Sequence, residues 1–141
     1  MNEQDIESDF TRNVYDSRDI RFLDSKFQTI WPKFKEDFGL ETGFQLEICC
    51  VWRSIKAQND IYQYGRTKPG PIRTRCDGYK TVSNHQIFPS KAIDVYIAIA
   101  KKPIWEVEYY KLLEPFCEKY QLNWGGSWVD FKDWGHIEFL Q

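Results

Sequence analysis

The sequence contains no long apolar run and no excess of positive charge. No stretch of about 18 apolar residues occurs, so we expect neither a transmembrane helix nor stable insertion into a membrane. The formal net charge is −2, so a nucleic-acid partner is not expected, because such proteins usually carry a strongly basic face. The polar N-terminus lacks the basic start and apolar stretch of a secretory signal. We therefore expect the chain to be cytoplasmic as synthesised, unless something releases it.

Cysteine pairs at metal-binding spacing are also missing. The four cysteines are Cys49, Cys50, Cys76 and Cys117. They include no Cys-x-x-Cys pair, which argues against a cysteine zinc site. We expect all four to be reduced thiols, as is usual in the cytosol.

Histidine is scarce, and its two occurrences are informative. His85 lies in a stretch that ends at Asp94, and His136 lies in a second stretch with Asp133 and Glu138. Two neutral imidazoles and one carboxylate, with a fourth position left to water, form the ligand set of a catalytic zinc site. A pair of hydrogen-bonded structural histidines is the alternative.

The length of 141 residues suits one folded domain. We divide the chain into an N-terminal arm or short helix over residues 1–19 and a domain over 20–141. Apolar residues at helical spacing predict a helix from Leu23 to Phe38, which Pro32 should kink or divide into two. A further helix is expected to begin at Pro103. Its buried side would consist of Trp105, Tyr109, Leu112, Phe116 and Tyr120.

Alternation of apolar and polar residues predicts strands over 44–52 and 92–99, and a last strand is expected over about 136–140. In the second strand Asp94 lies on the face opposite the core residues. The core face would consist of Ile93, Val95, Ile97 and Ile99. In the last strand His136 and Glu138 share one face.

The segment 66–84 is a long connection rich in glycine, proline and cations. The cations are Arg66, Lys68, Arg73, Arg75 and Lys80. Long loops in compact domains are often binding loops, and these charges could attract an anionic substrate. A solvated surface loop explains them equally well.

A series of short motifs resembles a known family. The motifs are Arg53-Ser54, Gln58, Gly65-Arg66-Thr67, Ser83-x-His85, Ala92-x-Asp94, Trp124-Gly125-Gly126, Trp128 and Asp133-x-x-His136-x-Glu138. In this order they resemble the zinc peptidases of the D-alanyl-D-alanine carboxypeptidase and hedgehog-like fold. The similarity is closest to the L-alanyl-D-glutamate endopeptidase branch, which includes many phage endolysins. The resemblance implies a single α+β domain, with a small antiparallel sheet flanked by helices.

One segment departs from the family pattern. Eight residues separate His85 from Asp94 where the family has six, and Ser90 or Lys91 stands where glycine is expected. We expect segment 86–91 to bulge outward, so that both side chains reach one ion.

The resemblance implies roles for individual residues. His85, Asp94 and His136 would bind Zn²⁺, Asp133 would be the general base, and Arg53 would face the substrate carbonyl and its oxyanion. Without the resemblance, Asp133 reads as a turn or capping residue and Arg53 as half of a surface salt bridge. The supporting or substrate-contacting residues would be Glu138, Ser83, Gln58 and Trp124. For the tryptophans, packing in the core is the alternative to lining a cleft.

These roles predict a zinc endopeptidase that cuts the L-alanyl-D-glutamate bond of peptidoglycan stem peptides, acting as a monomer. A phage lysin of this kind would reach the wall through a membrane lesion, with the help of a holin. The alternatives are a D,D-carboxypeptidase or dipeptidase of the same fold, an inactive zinc-containing binding module, and a metal-free binding protein.

Overall fold

An antiparallel sheet forms the centre of the computed structural model, which describes residues 16–141. Its strands are β2 (Gln45–Cys50), β4 (Ala92–Ile99), β5 (Lys102–Ile104), β6 (Asn123–Trp124) and β7 (His136–Glu138). The order is β2-β4-β7-β6, and β5 pairs with the second half of β4. A separate pair joins β1 (Asp16–Ser17) to β3 (Trp52–Arg53). The fold class is therefore α+β, as predicted, with a five-stranded sheet, a two-stranded sheet and one main core.

The predicted arm or short helix over residues 1–19 lies mostly outside the described residues. Its described end contains β1, where Asp16 pairs with Arg53 and Ser17 with Trp52. No helix in residues 16–141 is both long and apolar enough to cross a membrane.

The first helix, α1 (Ser25–Thr42), covers the sheet with an aromatic face. Its buried residues are Phe27, Trp31, Phe34 and Phe38. Asp24 caps the helix by accepting hydrogen bonds from the amides of Lys26 and Phe27, and Gly43 ends it in the left-handed conformation, with φ of 76°. The helix is one continuous element through Pro32, not two. A proline inside a helix costs about 3 kcal/mol, and burial of the aromatic face on both sides of Pro32 offsets this cost.

Strand β2 contains a bulge that the alternation of apolar and polar residues did not reveal. Ile48 pairs with Val95 and Cys50 with Asp94, so the register shifts between Ile48 and Cys50. The predicted strand over 44–52 therefore becomes β2 and β3, which face different partners. A bulge leaves an extra residue unpaired and re-aims the side chains beside it. Here it places Cys50 directly opposite Asp94.

Around Pro103 the prediction of a helix is wrong. Pro103 lies in β5 and pairs with Ala98, because Ala100 and Lys101 take positive φ values and turn the chain back on β4. Proline is tolerated on an edge strand, where its missing N–H is not needed. After α2 (Ile55–Tyr62), the next helices are α3 (Val107–Tyr110) and α4 (Leu113–Lys119), which begin later than predicted.

The later start also rotates the buried face of this region. The predicted core residues Trp105 and Leu112 are 69% and 37% exposed. The buried residues of these two helices are Tyr110, Leu113, Phe116 and Cys117. Phe116 is the predicted residue that is fully packed, while Tyr109 and Tyr120 are half-buried against the core. Ile99, predicted to face the core, is exposed at the end of β4.

The enlarged segment 86–91 turns back on the fold instead of only bulging outward. Ile87 is exposed, but Phe88 packs edge-on against Phe22, and Ser90 is fully buried. The Ser90 hydroxyl donates to the Val51 carbonyl at 2.6 Å. The Lys91 ammonium lies 2.8 Å from the Asp24 carboxylate. These contacts tie the extra residues to the start of α1 and leave the ends of the segment close together.

Candidate metal centre

Two adjacent strands bring the predicted site together. Asp94 of β4 and His136 of β7 are directly paired, and Ile93 is paired with Ile137 in the core. The period of two along each strand therefore puts Asp94 and His136 on one face and the two isoleucines on the other. The facial assignments made from the alternation are confirmed.

His85 reaches Asp94 from the loop before β4, with its imidazole 2% exposed. Its Nδ1 lies 3.0 Å from the Val51 carbonyl oxygen. Because a carbonyl only accepts, we place the imidazole proton on Nδ1 and leave the lone pair on Nε2. Nε2 lies 3.2 Å from Asp94 Oδ1 and has no hydrogen-bond partner within the described residues. The backbone amide of His85 donates to the Ser83 hydroxyl at 3.2 Å.

His136 is oriented from the other side. Its Nε2 lies 2.7 Å from Glu138 Oε1, which also accepts a hydrogen bond from the Asn84 side chain at 2.9 Å. Its Nδ1 faces Asp94 Oδ1 at 3.1 Å. Burial acts to raise the pKa of Glu138, but the bonds from His136 and Asn84 outweigh it and lower the pKa. A charged Glu138 would orient a histidine ligand through the nitrogen that does not bind the ion.

Both histidines therefore present one nitrogen to the same carboxylate oxygen. Burial acts to lower the pKa of His136, but its bonds to Asp94 and Glu138 raise it to about 10. A divalent cation bound at His136 would take the place of the proton that this raised pKa favours. The neighbouring imidazoles outweigh burial and hold the pKa of Asp94 well below its usual range. Two imidazoles and one ionised carboxylate are donors that suit zinc.

The donor atoms form two compact groups that share Asp94. One group is Cys50, His85 and Asp94, and the other is Asp94, Asp133 and His136; within each group the donor atoms lie within 4.8 Å of one another. The ligand set predicted from the sequence takes members from both groups. The imidazole rings of the two histidines are 5.1 Å apart and nearly perpendicular.

Asp133 stands at the open side of the centre. Its Oδ2 lies 3.9 Å from His136 Nδ1, and burial, followed by the charge of Asp94, raises its pKa. Gly125 allows this approach, because a Cβ there would lie 2.3 Å from the Asp133 carbonyl oxygen. Gly135 similarly packs its backbone against β4, where a Cβ would lie 2.6 Å from the Val95 carbonyl oxygen.

Arg53 is buried beside the centre, so it is not half of a surface pair. Nη2 donates to Asp94 Oδ2 and to Cys50 Sγ, each at 3.2 Å, and Nη1 donates to Gln58 Oε1 at 2.8 Å. Gln58 is 1% exposed. The Asp16 carboxylate lies 3.5 Å from Arg53 Nε. A guanidinium held by these partners keeps one orientation, which favours electrostatic work at a fixed point.

Cys50 is a neighbour of the site that the sequence did not indicate. Its Sγ accepts from Arg53 and lies 3.8 Å from His85 Nδ1. Burial raises the pKa of the Cys50 thiol. In a regular strand over 44–52, Cys50 would share a face with Leu46 and Ile48, and the bulge pairs it with Asp94 instead.

The centre forms one wall of a cleft with a volume of about 310 Å³. A second part of the wall comes from the basic loop and includes Arg73, Thr74, Arg75 and Cys76. Among the remaining predicted residues, Ser83 lines the cleft. Trp124 does not: it is buried, and its indole donates to the Trp134 carbonyl at 2.8 Å. Trp128 lies over the His136 ring, with centroids 5.0 Å apart, and lines the cleft.

Two known proteins of similar sequence or fold are both described as L-alanyl-D-glutamate endopeptidases. No protein-family model matches the sequence. The chain is 32% identical over 110 residues to the peptidoglycan L-alanyl-D-glutamate endopeptidase CwlK of Bacillus subtilis. That match covers 70% of this chain, which spans about three fifths (62%) of the relative's length. The resemblance to this branch, predicted from the motifs, is confirmed.

A solved structure supports the fold. The crystal structure of the Serratia marcescens L-Ala D-Glu endopeptidase ChiX superposes with a TM-score of 0.56 and 17% sequence identity. The superposition covers 92% of each chain. The predicted fold class is therefore confirmed over almost the whole chain.

Proposed function

We propose that this chain, a relative of an L-alanyl-D-glutamate endopeptidase, is a zinc-dependent peptidoglycan hydrolase that cuts the same bond in stem peptides. The observation that carries the proposal is the convergence of His85 Nε2 and His136 Nδ1 on Asp94 Oδ1. A structural role would not require two histidine nitrogens to face one carboxylate oxygen. The similarity in sequence supplies the bond that is cut.

His85, Asp94 and His136 would hold the zinc. Zinc bound there would polarise the scissile carbonyl and lower the pKa of the attacking water. The Val51 carbonyl and the Glu138 carboxylate would keep the two imidazoles in the tautomers that ligation requires.

Asp133 and Arg53 would perform the remaining chemistry. Asp133 takes a proton from the attacking water and returns it to the leaving amine, since its carboxylate lies beside the ligands and lines the cleft. Arg53 stabilises the negative charge that develops on the carbonyl oxygen. Gln58 holds this guanidinium in place, so little reorganisation accompanies the reaction.

We further propose that residues 20–141 are the catalytic domain, that it acts as a monomer, and that the protein is a phage endolysin released to the cell wall with a holin. The motif series supports this role, because the branch it resembles includes many phage endolysins.

Digestion of purified peptidoglycan tests the reaction. We expect new N-terminal D-glutamate, identified by mass, that disappears with a chelator and returns when zinc is added. Release of D-alanine instead would identify a carboxypeptidase of the same fold. Absence of cleavage by folded, zinc-loaded protein would contradict the proposal and favour a binding module.

A further inference from the structure

The basic loop does not present its charges uniformly. Of its five cations, two line the cleft in the described structure: Arg73 and Arg75. Arg66 is instead used within the loop, where it donates to the Tyr62 and Thr74 carbonyls. Lys80 is exposed and is not part of the cleft wall. The loop therefore separates cations that support its own fold from cations that face an occupant of the cleft.

We call the part of the cleft wall formed by Arg53, His85, Asp94 and His136 the metal side. The loop segment that carries the two arginines is anchored to it. The buried side chain of Gln58 donates to Thr74 Oγ1 at 3.3 Å and to the Cys76 carbonyl at 3.0 Å. The same amide accepts from Arg53. Arg73 and Arg75 therefore flank a residue held by the side chain that also positions Arg53.

Arg73 has no counter-ion among residues 16–141. Its guanidinium lies over the Tyr64 ring at 4.0 Å, and no carboxylate in residues 16–141 pairs with it. Stacking on an aromatic ring fixes the plane of a guanidinium but leaves its in-plane N–H groups available. Arg75 has one loose partner, Asp130, at 3.8 Å, and both side chains are well exposed. An exposed pair of this kind contributes little and is readily exchanged for another anion.

The cleft is small, and the metal ligands and the two arginines belong to its one continuous lining. Its volume of about 310 Å³ lies at the lower end of the range for ligand pockets. Asp94, Arg73 and Arg75 line the same cleft, so a peptide whose reacting bond lies at Asp94 can present a neighbouring residue to the arginines. In the proposed reaction that residue is glutamate, which has two carboxyl groups. Only one of them can continue the peptide, and the other is either free or amidated.

We propose that Arg73, with Arg75 beside it, binds the free carboxylate of the glutamyl residue on the leaving-amine side and selects it over the corresponding amide. The inference rests on the proposed function and adds a determinant of substrate specificity. A guanidinium donates two parallel, charge-assisted hydrogen bonds to a carboxylate. A primary amide lacks the negative charge and offers a single acceptor oxygen, so the same site binds it more weakly.

A matched pair of synthetic stem peptides tests this specificity, since they differ only in that carboxylate or amide. For the wild-type protein we expect kcat/KM to favour the acid by roughly tenfold or more. In Arg73→Ala this ratio should fall close to one, and Arg73→Lys should give an intermediate ratio. Lys80→Ala is the control, because it removes a charge from the same loop without touching the cleft; it should keep the wild-type ratio.

Equal cleavage of the two peptides by the wild-type protein, or an unchanged ratio in Arg73→Ala, would overturn the inference. Cleavage of neither peptide would contradict the proposed function instead. Calorimetric titration of both peptides into wild-type protein and Arg73→Ala then decides the inference separately. Tighter binding of the acid that depends on Arg73 supports it, whereas equal or undetectable binding overturns it.

Discussion

The two walls of the cleft are built in opposite ways. On the metal side, His85, Asp94 and His136 come from or lie against paired strands, and each has at least two polar neighbours. On the arginine side, Arg73 and Arg75 are exposed residues of a loop, and each rests against one aromatic ring. Chemistry needs atoms held within a fraction of an ångström, which strands provide, whereas recognition of a charged group tolerates a loop.

Gln58 connects these two constructions. Its amide oxygen accepts from Arg53 on the metal side, and its amide nitrogen holds the loop segment 74–76. The buried side chain of Gln58 thus links the arginine-bearing loop to the side of the cleft that carries the metal ligands. We therefore expect substitutions on the metal side, at Gln58, and at the Asp24–Lys91 pair to affect activity and stability to different extents.

The largest effects are expected on the metal side, where two carboxylates should separate by role. Asp94→Ala removes the residue that both histidines face, so bound zinc and turnover should both be lost. Asp133→Ala should retain zinc while kcat falls by roughly 10²-fold or more, since a general base contributes about that much. Metal content by atomic emission and kcat on peptidoglycan fragments measure the two effects. A fully active Asp133→Ala protein would refute its assignment as the base.

Substitution of Gln58 should give an intermediate effect on both walls. Gln58→Leu leaves a buried Arg53 N–H without its partner, which should cost about 1–3 kcal/mol of stability. We also expect kcat/KM to fall, because Arg53 and the loop lose a shared anchor. Denaturant unfolding and kinetics on the acid peptide measure these changes.

Asn59→Ala provides a matched control for Gln58. Asn59 lies on the same helix, α2 (Ile55–Tyr62), and holds the same loop by donating to the Asp77 carbonyl at 2.9 Å, but it does not touch Arg53. Its substitution should therefore affect kcat less than Gln58→Leu. If the two variants had the same kcat, the connection through Arg53 would not matter for turnover.

The smallest effect is expected behind the metal side, at the Asp24–Lys91 pair. Burial acts to raise the pKa of Asp24, but the bond from Lys91 and the helix amides outweigh it and lower the pKa. A lowered carboxyl pKa contributes stability at pH values above the unfolded pKa of about 3.9, and this contribution is lost as pH falls through the folded value. Asp24→Asn should lower stability by up to about 1 kcal/mol near neutral pH.

This difference should shrink when unfolding is measured at a pH below the unfolded pKa of Asp24. Asparagine remains a good N-cap, so the comparison isolates the charge. Lys91→Met, combined with Asp24→Asn in a double-mutant cycle, isolates the pair itself. Zinc affinity should not change in either variant. A large loss of zinc would show that the enlarged segment 86–91 does support the metal side.

Much of the metal side could be predicted because strand periodicity is a local property. Alternation placed Asp94 opposite Ile93 and Val95, and His136 on the same face as Glu138, and the structure has both. The family motifs added Arg53 and Gln58. The helix predicted to start at Pro103 failed because its pattern was read without the hairpin that forms β5. That hairpin depends on pairing with β4, which the local sequence does not describe.

By itself, the sequence determined the strands that carry the centre, their inner and outer faces, and the residue types of a zinc site. These follow from the geometry of an extended chain, in which each residue faces opposite to the next. Only the tertiary structure decided that Cys50 faces Asp94, which histidine nitrogen is available, and which loop cations reach the cleft. These depend on the register between strands and on hydrogen bonds between segments far apart in the chain. Such contacts are set by packing of the whole domain, because no local pattern specifies a partner that lies 18 or 34 residues away.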